Sequence, residues 1–461
     1  MPRTSEPAMR KEWLRNEIAV IGLARSGRAV ATLLARGGAD VYASDVGRSP
    51  EIEATAAALR AEGVVVDVGV HDQARIVSAS LVVVSPGVPP TAPPLVVARK
   101  AQIDIVSEVE IGLRFLPQLC YVAVTGTNGK TTTTALAGHL LSQLRRQVVT
   151  AGNIGLPLSE VALASAPPRW LALELSSFQL HDTPSVAPRV GVLTNLSANH
   201  LDRYDNVEEY YADKARLFRN ATAASTWVSN ADDTDVQKMV ERVPGIHCRF
   251  STQGMSDAYL DHGTGELVVL GHVLIHRDEL ALIGEHNVSN ALAATLAVMM
   301  ADPQHRETES VAKLAQGLRS FRGLEHRIEP VGEFGGVTWI NDSKSTNVAS
   351  TLVALRGMTR PTVLLLGGRH KGEPYTQLAP ELARVVKGVI AYGEAAPLVE
   401  ADLREFVPVT RLESSFDDVI ETARRSAQPG DVILLSPACS SYDMFDNYEQ
   451  RGAEFKRLAP G

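Results

Sequence analysis

The run best suited to handling phosphate is Val122-Ala123-Val124-Thr125-Gly126-Thr127-Asn128-Gly129-Lys130-Thr131-Thr132. An apolar stretch of strand length passes directly into a short glycine-bearing loop and then into a helix. There the glycines let backbone amides turn inward, the helix N-terminus adds partial positive charge, and a lysine neutralises β- and γ-phosphate oxygens. Lys130 is placed for that task, and the Thr131 hydroxyl for a magnesium ion. The general phosphate-loop pattern asks for glycine where Val124 stands, so the loop is a variant, Gly-Thr-Asn-Gly-Lys-Thr-Thr. The expected ligand is a nucleoside triphosphate.

Two further segments close strands in the same block: Glu174-Leu175-Ser176-Ser177-Phe178-Gln179-Leu180 and Thr194-Asn195-Leu196-Ser197-Ala198-Asn199-His200-Leu201-Asp202. Ligands of open α/β sheets bind beyond the carboxyl ends of strands, which brings Glu174 and His200 beside the phosphate loop. A carboxylate and a neutral imidazole can hold a second divalent cation, with phosphates supplying further oxygens. Downstream, Tyr210 to Phe218 reads as an amphipathic helix on which Lys214 would ordinarily be a solvated cation; spacing does not single it out.

A weaker glycine loop, Ile21-Gly22-Leu23-Ala24-Arg25-Ser26-Gly27, follows the first strand, and Asp45 ends the next. Ala24 replaces the middle glycine that brings backbone close to a pyrophosphate. A structural turn, a dinucleotide and a diphosphate-sugar nucleotide all stay open for it. Late in the chain, Asn341-Asp342-Ser343-Lys344-Ser345-Thr346-Asn347, Gly367-Gly368-Arg369-His370-Lys371-Gly372 and Ser436-Pro437-Ala438-Cys439-Ser440-Ser441 are three polar loops after strands. They define one face, with Lys344 and Lys371 as partners for carboxylate or phosphate. Cys439 lacks an evident His/Asn partnership and reads as a packed thiol.

These candidates need sheets to hold them. Three blocks alternate β-branched runs with amphipathic stretches, the pattern of βαβ units. Residues 17–22, 41–45, 64–68 and 81–85 read as strands of the first, with 28–35 a helix. The second has strands at 121–125, 170–175 and 190–195 and a long Ala-rich helix at 287–300. The third has strands at 337–341, 362–367, 388–392 and 431–436, and a last helix at 444–458. The expected fold is α/β, in three domains with mainly parallel sheets. These are Rossmann-like over 1–113, P-loop ATPase-like over 114–323 and Rossmann-like over 324–461.

Composition agrees. A chain of 461 residues suits about three domains at ~100–200 residues each. With 45% hydrophobic and 21% charged residues it is neither disordered nor a coiled coil. A net charge of −8 and 5% aromatic residues argue against nucleic acid as partner. Cys120, Cys248 and Cys439 form no CxxC pair, no secretory signal opens the chain, and no apolar run approaches membrane-spanning length. The expectation is a cytoplasmic monomer without membrane partner.

Taken with Gly152-Asn153-Ile154-Gly155, Glu285-His286-Asn287-Val288-Ser289-Asn290 and Glu325-His326-Arg327, these segments resemble the Mur ligase family over nearly the whole chain. The Glu174–Leu180 run resembles its D-glutamate-adding branch. The resemblance implies an ATP-dependent ligase of peptidoglycan precursor synthesis, serving cell-wall biogenesis, cell shape and division. It would add D-glutamate to UDP-N-acetylmuramoyl-L-alanine through an acyl phosphate and release ADP and phosphate. The cofactors implied are ATP and two Mg2+ ions, with a C-terminal domain that closes on the site.

Carried over by position, Asn128, Gly129, Lys130, Thr131, Thr132, Asn287, Asn290, Arg327 and Asp342 would bind ATP. Thr131, Glu174, His200 and a carbamylated Lys214 would hold metal. Arg25, Ser26, Asp45, Ser85, Gly87, Asn153, Ser176 and Gln179 would bind the UDP substrate. Lys344, Thr346, Lys371, Ser441 and Tyr448 would bind D-glutamate. Lys130, His200, Lys214, Arg327 and Lys344 would carry the catalysis. Two positions depart from the family pattern: Val46-Gly47 follow Asp45, with Arg48 as a substitute, and Tyr448 stands for phenylalanine. The readings weighed against this are a folylpolyglutamate synthase, an NTP-driven switch and a nicotinamide dehydrogenase. Folate use, ATP turnover without D-glutamate and NADH binding, respectively, would mark them.

Overall fold

The computed structural model describes residues 11–197, 204–282 and 284–460. The first block forms a five-stranded parallel sheet in the order Val65–Val68, Val41–Asp45, Ile18–Ile21, Leu81–Val84, Ile105–Ser107. Ile18–Ile21 and Leu81–Val84 are buried at every position, as strands covered on both faces must be. The helix Arg25–Arg36 turns Val30, Leu33 and Leu34 into the core and leaves Arg28 and Arg36 exposed.

The second block builds a nine-stranded sheet. Its parallel part runs Ile246–Ser251, Thr226–Asn230, Val190–Leu193, Cys120–Thr125, Trp170–Glu174, Val148–Gly152. Beyond Ile246–Ser251 the sheet continues through Ala258–Asp261, Glu266–Val269 and His272–His276, the last two pairings antiparallel. The third block has six strands in the order Glu329–Phe334, Val337–Asn341, Val432–Leu435, Thr362–Gly367, Val386–Tyr392, Val409–Arg411. Only Glu329–Phe334 pairs antiparallel.

The α/β class and three mainly parallel sheets match expectation. Of the edge strands Val65–Val68 was expected; the antiparallel meander and the edge strands Ile105–Ser107, Val148–Gly152, Glu329–Phe334 and Val409–Arg411 were not, because runs of three to six residues are too short to fix a period. The last helix is Tyr448–Leu458 rather than 444–458: the Asn447 side chain accepts the Gln450 amide at 2.7 Å and so caps it.

The chain divides into two compact units, residues 1–279 with 288–320 and residues 280–287 with 321–461. The first carries the five- and nine-stranded sheets and the second the six-stranded one. No helix among the described residues is long and apolar enough to cross a membrane.

Candidate active site

In the first unit, Cys120–Thr125 lies between Val190–Leu193 and Trp170–Glu174, with Val124 in register with both Glu174 and Val192. The phosphate loop and Glu174 therefore leave the sheet side by side. Two glycines are required by the loop. Gly126 has φ 145° and a Cβ there would come 2.0 Å from Thr194 Oγ1; Gly129 has φ 78° and its Cβ would meet Asn290 Oδ1 at 2.3 Å. The loop is braced from the next strand end. Asn195 accepts the Asn128 amide at 2.8 Å and donates to the Asn128 carbonyl at 3.0 Å, and Thr194 Oγ1 donates to the same carbonyl at 2.6 Å. Thr131 and Thr132 are buried in the first turn of Lys130–Gln143. Asn290 accepts Thr133 Oγ1 at 3.2 Å.

Two lysines converge on one carbonyl. Gly126 O accepts Lys130 Nζ at 3.0 Å and Lys214 Nζ at 2.6 Å, while Lys130 also donates to Thr127 O at 2.7 Å. Lys214 is 1% exposed, with its ammonium 4.5 Å from the Tyr210 ring centre, so the solvated cation expected of its helix position is corrected. Burial first, and then the Lys130 charge, holds the Lys214 amine well below its ordinary pKa, against the pull of Glu174 and Asp213.

Glu174 is 1% exposed. Its Oε1 accepts Asn153 Nδ2 at 2.7 Å, and its Oε2 has no hydrogen-bond partner among the described residues. A buried carboxylate oxygen left open costs free energy unless something binds there. Among the described residues no group of three His, Cys, Asp or Glu side chains forms a ready metal site. The donors that fit a divalent cation are the open Glu174 oxygen and the Thr131 hydroxyl, joined by Lys214 if it acquires a carboxylate. His200 lies outside the described residues.

Sequence reading missed the residues behind Lys214. Asp213 accepts His181 Nδ1 at 2.8 Å, Arg216 Nε at 2.8 Å and Tyr204 Oη at 3.1 Å. Burial pushes its carboxyl up, but those partners, His181 foremost, outweigh it and hold the pKa below the usual value. The same bond raises His181. Only the spacing of Asp213 and Arg216 on one helix was visible in the sequence.

Around the N-terminal loop, Asp45 spends both oxygens on backbone: Oδ2 accepts Leu23 N and Oδ1 accepts Gly47 N, each at 2.7 Å. Ser85 Oγ donates to Gly22 O at 3.1 Å, and Arg25 pairs with Glu160 at 3.0 Å. Ser26 is half-buried and Gly87 exposed. Ser176 and Gln179 form a capping box at the start of Ser177–His181, which leaves Gln179 Nε2 buried without a partner among the described residues.

In the second unit the three polar loops do meet. Asp342, 2% exposed, accepts Ser345 Oγ at 2.5 Å, Ser436 Oγ at 2.7 Å and Ile328 N at 3.1 Å. Burial lifts its pKa to about 6 despite those bonds and the Arg327 charge. Lys371 Nζ donates to Thr346 Oγ1 at 3.2 Å, and Lys344 Nζ stands 5.7 Å from the Tyr448 ring centre. Buried Arg451 ties Ser343 to the Cys439 carbonyl, and Ser441 is buried. Cys439 is a packed thiol with its Sγ 2.8 Å from Tyr375 Oη; burial raises it to about 11. Asn287 is buried and Arg327 half-buried.

Comparison with known proteins adds names to this geometry. Residues 16–107 match the Mur ligase MurD-like N-terminal domain, 124–298 the Mur ligase middle domain and 326–439 the Mur ligase glutamate ligase domain. The UDP-N-acetylmuramoylalanine--D-glutamate ligase of Salinibacter ruber is 40% identical over 461 residues, covering 97% of this chain and 98% of that one. The protein of the same name from Anaeromyxobacter dehalogenans is 40% identical over 456 residues, covering 96% and 97%. Among solved structures, the Thermotoga maritima MurF ligase in complex with ADP shares the fold at a TM-score of 0.60 and 17% identity, covering 98% of each chain. The UDP-N-acetylmuramate-alanine ligase MurC of the same organism does so at 0.58 and 20%, covering 96% and 98%.

Proposed function

The chain belongs to the Mur ligase family, and we propose that it joins D-glutamate to the L-alanyl carboxylate of UDP-N-acetylmuramoyl-L-alanine at the expense of ATP. The activity is that of an ATP-dependent ligase of peptidoglycan precursor synthesis. Amide formation in water is uphill, so the carboxylate must first become an electrophile. It attacks the γ-phosphorus in line to give an acyl phosphate and ADP. The D-glutamate amine then adds to the acyl carbon, and phosphate leaves from the tetrahedral adduct. Positioning and charge stabilisation supply the catalysis.

In this reading Lys130 and Arg327 meet the charge on the transferring phosphoryl group, and Asn128, Gly129, Thr131 and Thr132 cradle its neighbours. Asn287, Asn290 and Asp342 serve the nucleoside side. Glu174, His200, Thr131 and carbamylated Lys214 would hold two magnesium ions, whose chemistry is to neutralise phosphate oxygens. His200 is a ligand and not a base, since a metal-bound imidazole cannot also take a proton. Asn153, Ser176, Gln179, Ser85, Gly87, Arg25, Ser26 and Asp45 bind the UDP substrate. Lys344, Thr346, Lys371, Ser441 and Tyr448 receive D-glutamate. The three domains correspond to residues 1–113, 114–323 and 324–461, in a monomer of the cytoplasm.

The observation that carries the reading is the convergence of Lys130 and Lys214 on Gly126 O, beside an open, buried Glu174 oxygen. Burial and the neighbouring Lys130 charge favour the neutral amine at Lys214, which is the form that captures CO2, and the open Glu174 oxygen offers a donor to a divalent cation. The test is phosphate release from ATP with UDP-N-acetylmuramoyl-L-alanine and D-glutamate. Turnover must need both, and L-glutamate must not replace D-glutamate. Sustained release without any amino acid overturns the reading.

A further inference from the structure

We infer that Asp213 is the positioning residue that aims Lys214 at the phosphate loop, an inference that rests on the carbamate reading of Lys214. Successive helix residues point about 100° apart. On Val207–Ala215 an anchored Asp213 therefore fixes the direction of its neighbour, Lys214. The anchor has three parts. His181 holds it at 2.8 Å from the end of the short helix Ser177–His181, Tyr204 at 3.1 Å from the segment before Val207–Ala215, and Arg216 at 2.8 Å from one turn onward. The Asp213 side chain is 10% exposed, so these bonds are made largely out of solvent.

The anchor also joins two parts of the site. Ser177–His181 follows directly on the strand Trp170–Glu174, through the capping box of Ser176 and Gln179. Glu174 and His181 thus belong to one continuous, hydrogen-bonded piece of chain. Through Asp213, that piece sets the position of Lys214 relative to the Glu174 carboxylate. Tyr210, one turn before Lys214, completes the placement: its hydroxyl donates to Thr127 Oγ1 at 3.3 Å and its ring lies against the lysine head.

The step served is capture of CO2. The neutral Nζ lone pair forms the N–C bond, one C–O π bond opens to the oxyanion, and the displaced amine proton leaves to solvent. Asp213 touches none of the reacting atoms. It fixes the amine within reach of the site, as outer partners fix metal ligands elsewhere.

The experiment equilibrates the enzyme with 13C-bicarbonate, without nucleotide or metal, and follows the carbamate carbon by NMR. Lys214→Ala identifies the signal. Asp213→Asn should raise the bicarbonate needed for half-occupancy by about tenfold, the low end of outer-partner effects, and Asp213→Glu should restore part of the loss. KM for D-glutamate should move less than about twofold. Should Asp213→Asn fail to fold, Tyr204→Phe and His181→Ala each remove one of the three bonds and should each shift the half-point in the same direction. Wild-type occupancy in a folded Asp213→Asn, or in both single-bond variants, overturns the positioning role and leaves the carbamate intact. A wild-type enzyme with no Lys214-dependent signal overturns both readings together.

Discussion

At the scale of single residues, Lys130 and Lys214 differ in how they were found. Lys130 was legible because Gly-Lys-Thr after an apolar strand has few other uses. Lys214 was not, because its burial comes from Gly126 and Tyr210, which the fold brings to it. The predictions differ likewise. Lys130→Ala removes a preorganised charge from the transferring phosphoryl group and should lower ATP-dependent phosphate release by about 10²–10³-fold. Lys214→Ala should be comparably poor, but acetate or propionate should restore part of its activity by supplying the missing carboxylate. Rescue of Lys130→Ala by the same carboxylates, or none for Lys214→Ala, would refute the division of roles. Asp45 stands out in the sequence by its place at a strand end and Asp342 by the family resemblance, yet their hydrogen bonds hold backbone and loops, which no spacing in the sequence reveals.

At the scale of elements, the strands carrying the site were legible because each is a continuous apolar run, buried on both faces. What escaped was how loops are braced: Thr194 and Asn195 clamp Asn128 across 66 and 67 positions of chain. The loop-to-helix junction yields a direct prediction. Gly129→Ala places a side chain at φ 78° and against Asn290. It should cost at least about 1–2 kcal/mol of stability from the backbone alone and weaken ATP binding by calorimetry; unchanged affinity would show that the loop tolerates a different path.

A second element-scale prediction concerns the helix Glu108–Phe115, whose first residue buries a carboxylate against Ser159 of the helix Leu158–Ala162. The Ser159 amide donates to Glu108 Oε1, and Oε2 has no partner among the described residues. Burial raises this carboxyl from 4.5 to about 7. The folded state thus keeps a proton that the unfolded chain releases between those values. Stability from this group is complete below about pH 4.5 and is lost as pH rises to about 7, by roughly 3 kcal/mol in all. Glu108→Gln should flatten that part of the melting-temperature profile. A variant whose profile parallels the wild type assigns the slope elsewhere.

At the scale of the whole molecule, three sheets fall into two compact units. The five- and nine-stranded sheets share one compact unit, and the chain between them is stitched by polar contacts as well as by core. Ser107 Oγ lies 2.7 Å from Thr183 Oγ1, Ser107 N donates to Asp182 O at 2.7 Å, and Glu110 Oε2 accepts Ser185 N at 2.9 Å and its hydroxyl at 2.6 Å. Separating these would strip one partner each from the buried Glu110 Oε2 and from the Ser107 and Thr183 hydroxyls, at up to about 1–3 kcal/mol each. The six-stranded sheet has core clusters of its own, drawn entirely from residues after Phe321. Calorimetry of the full chain should therefore resolve two transitions, the larger from the unit with two sheets. Glu108→Gln should move that larger transition at pH 8 and leave the smaller where it is. Three transitions, or a boundary near residue 113 that melts on its own, would mean that the polar seam contributes little and the N-terminal sheet stands on its own core. A single transition, moved as a whole by Glu108→Gln, would instead make the chain one cooperative body.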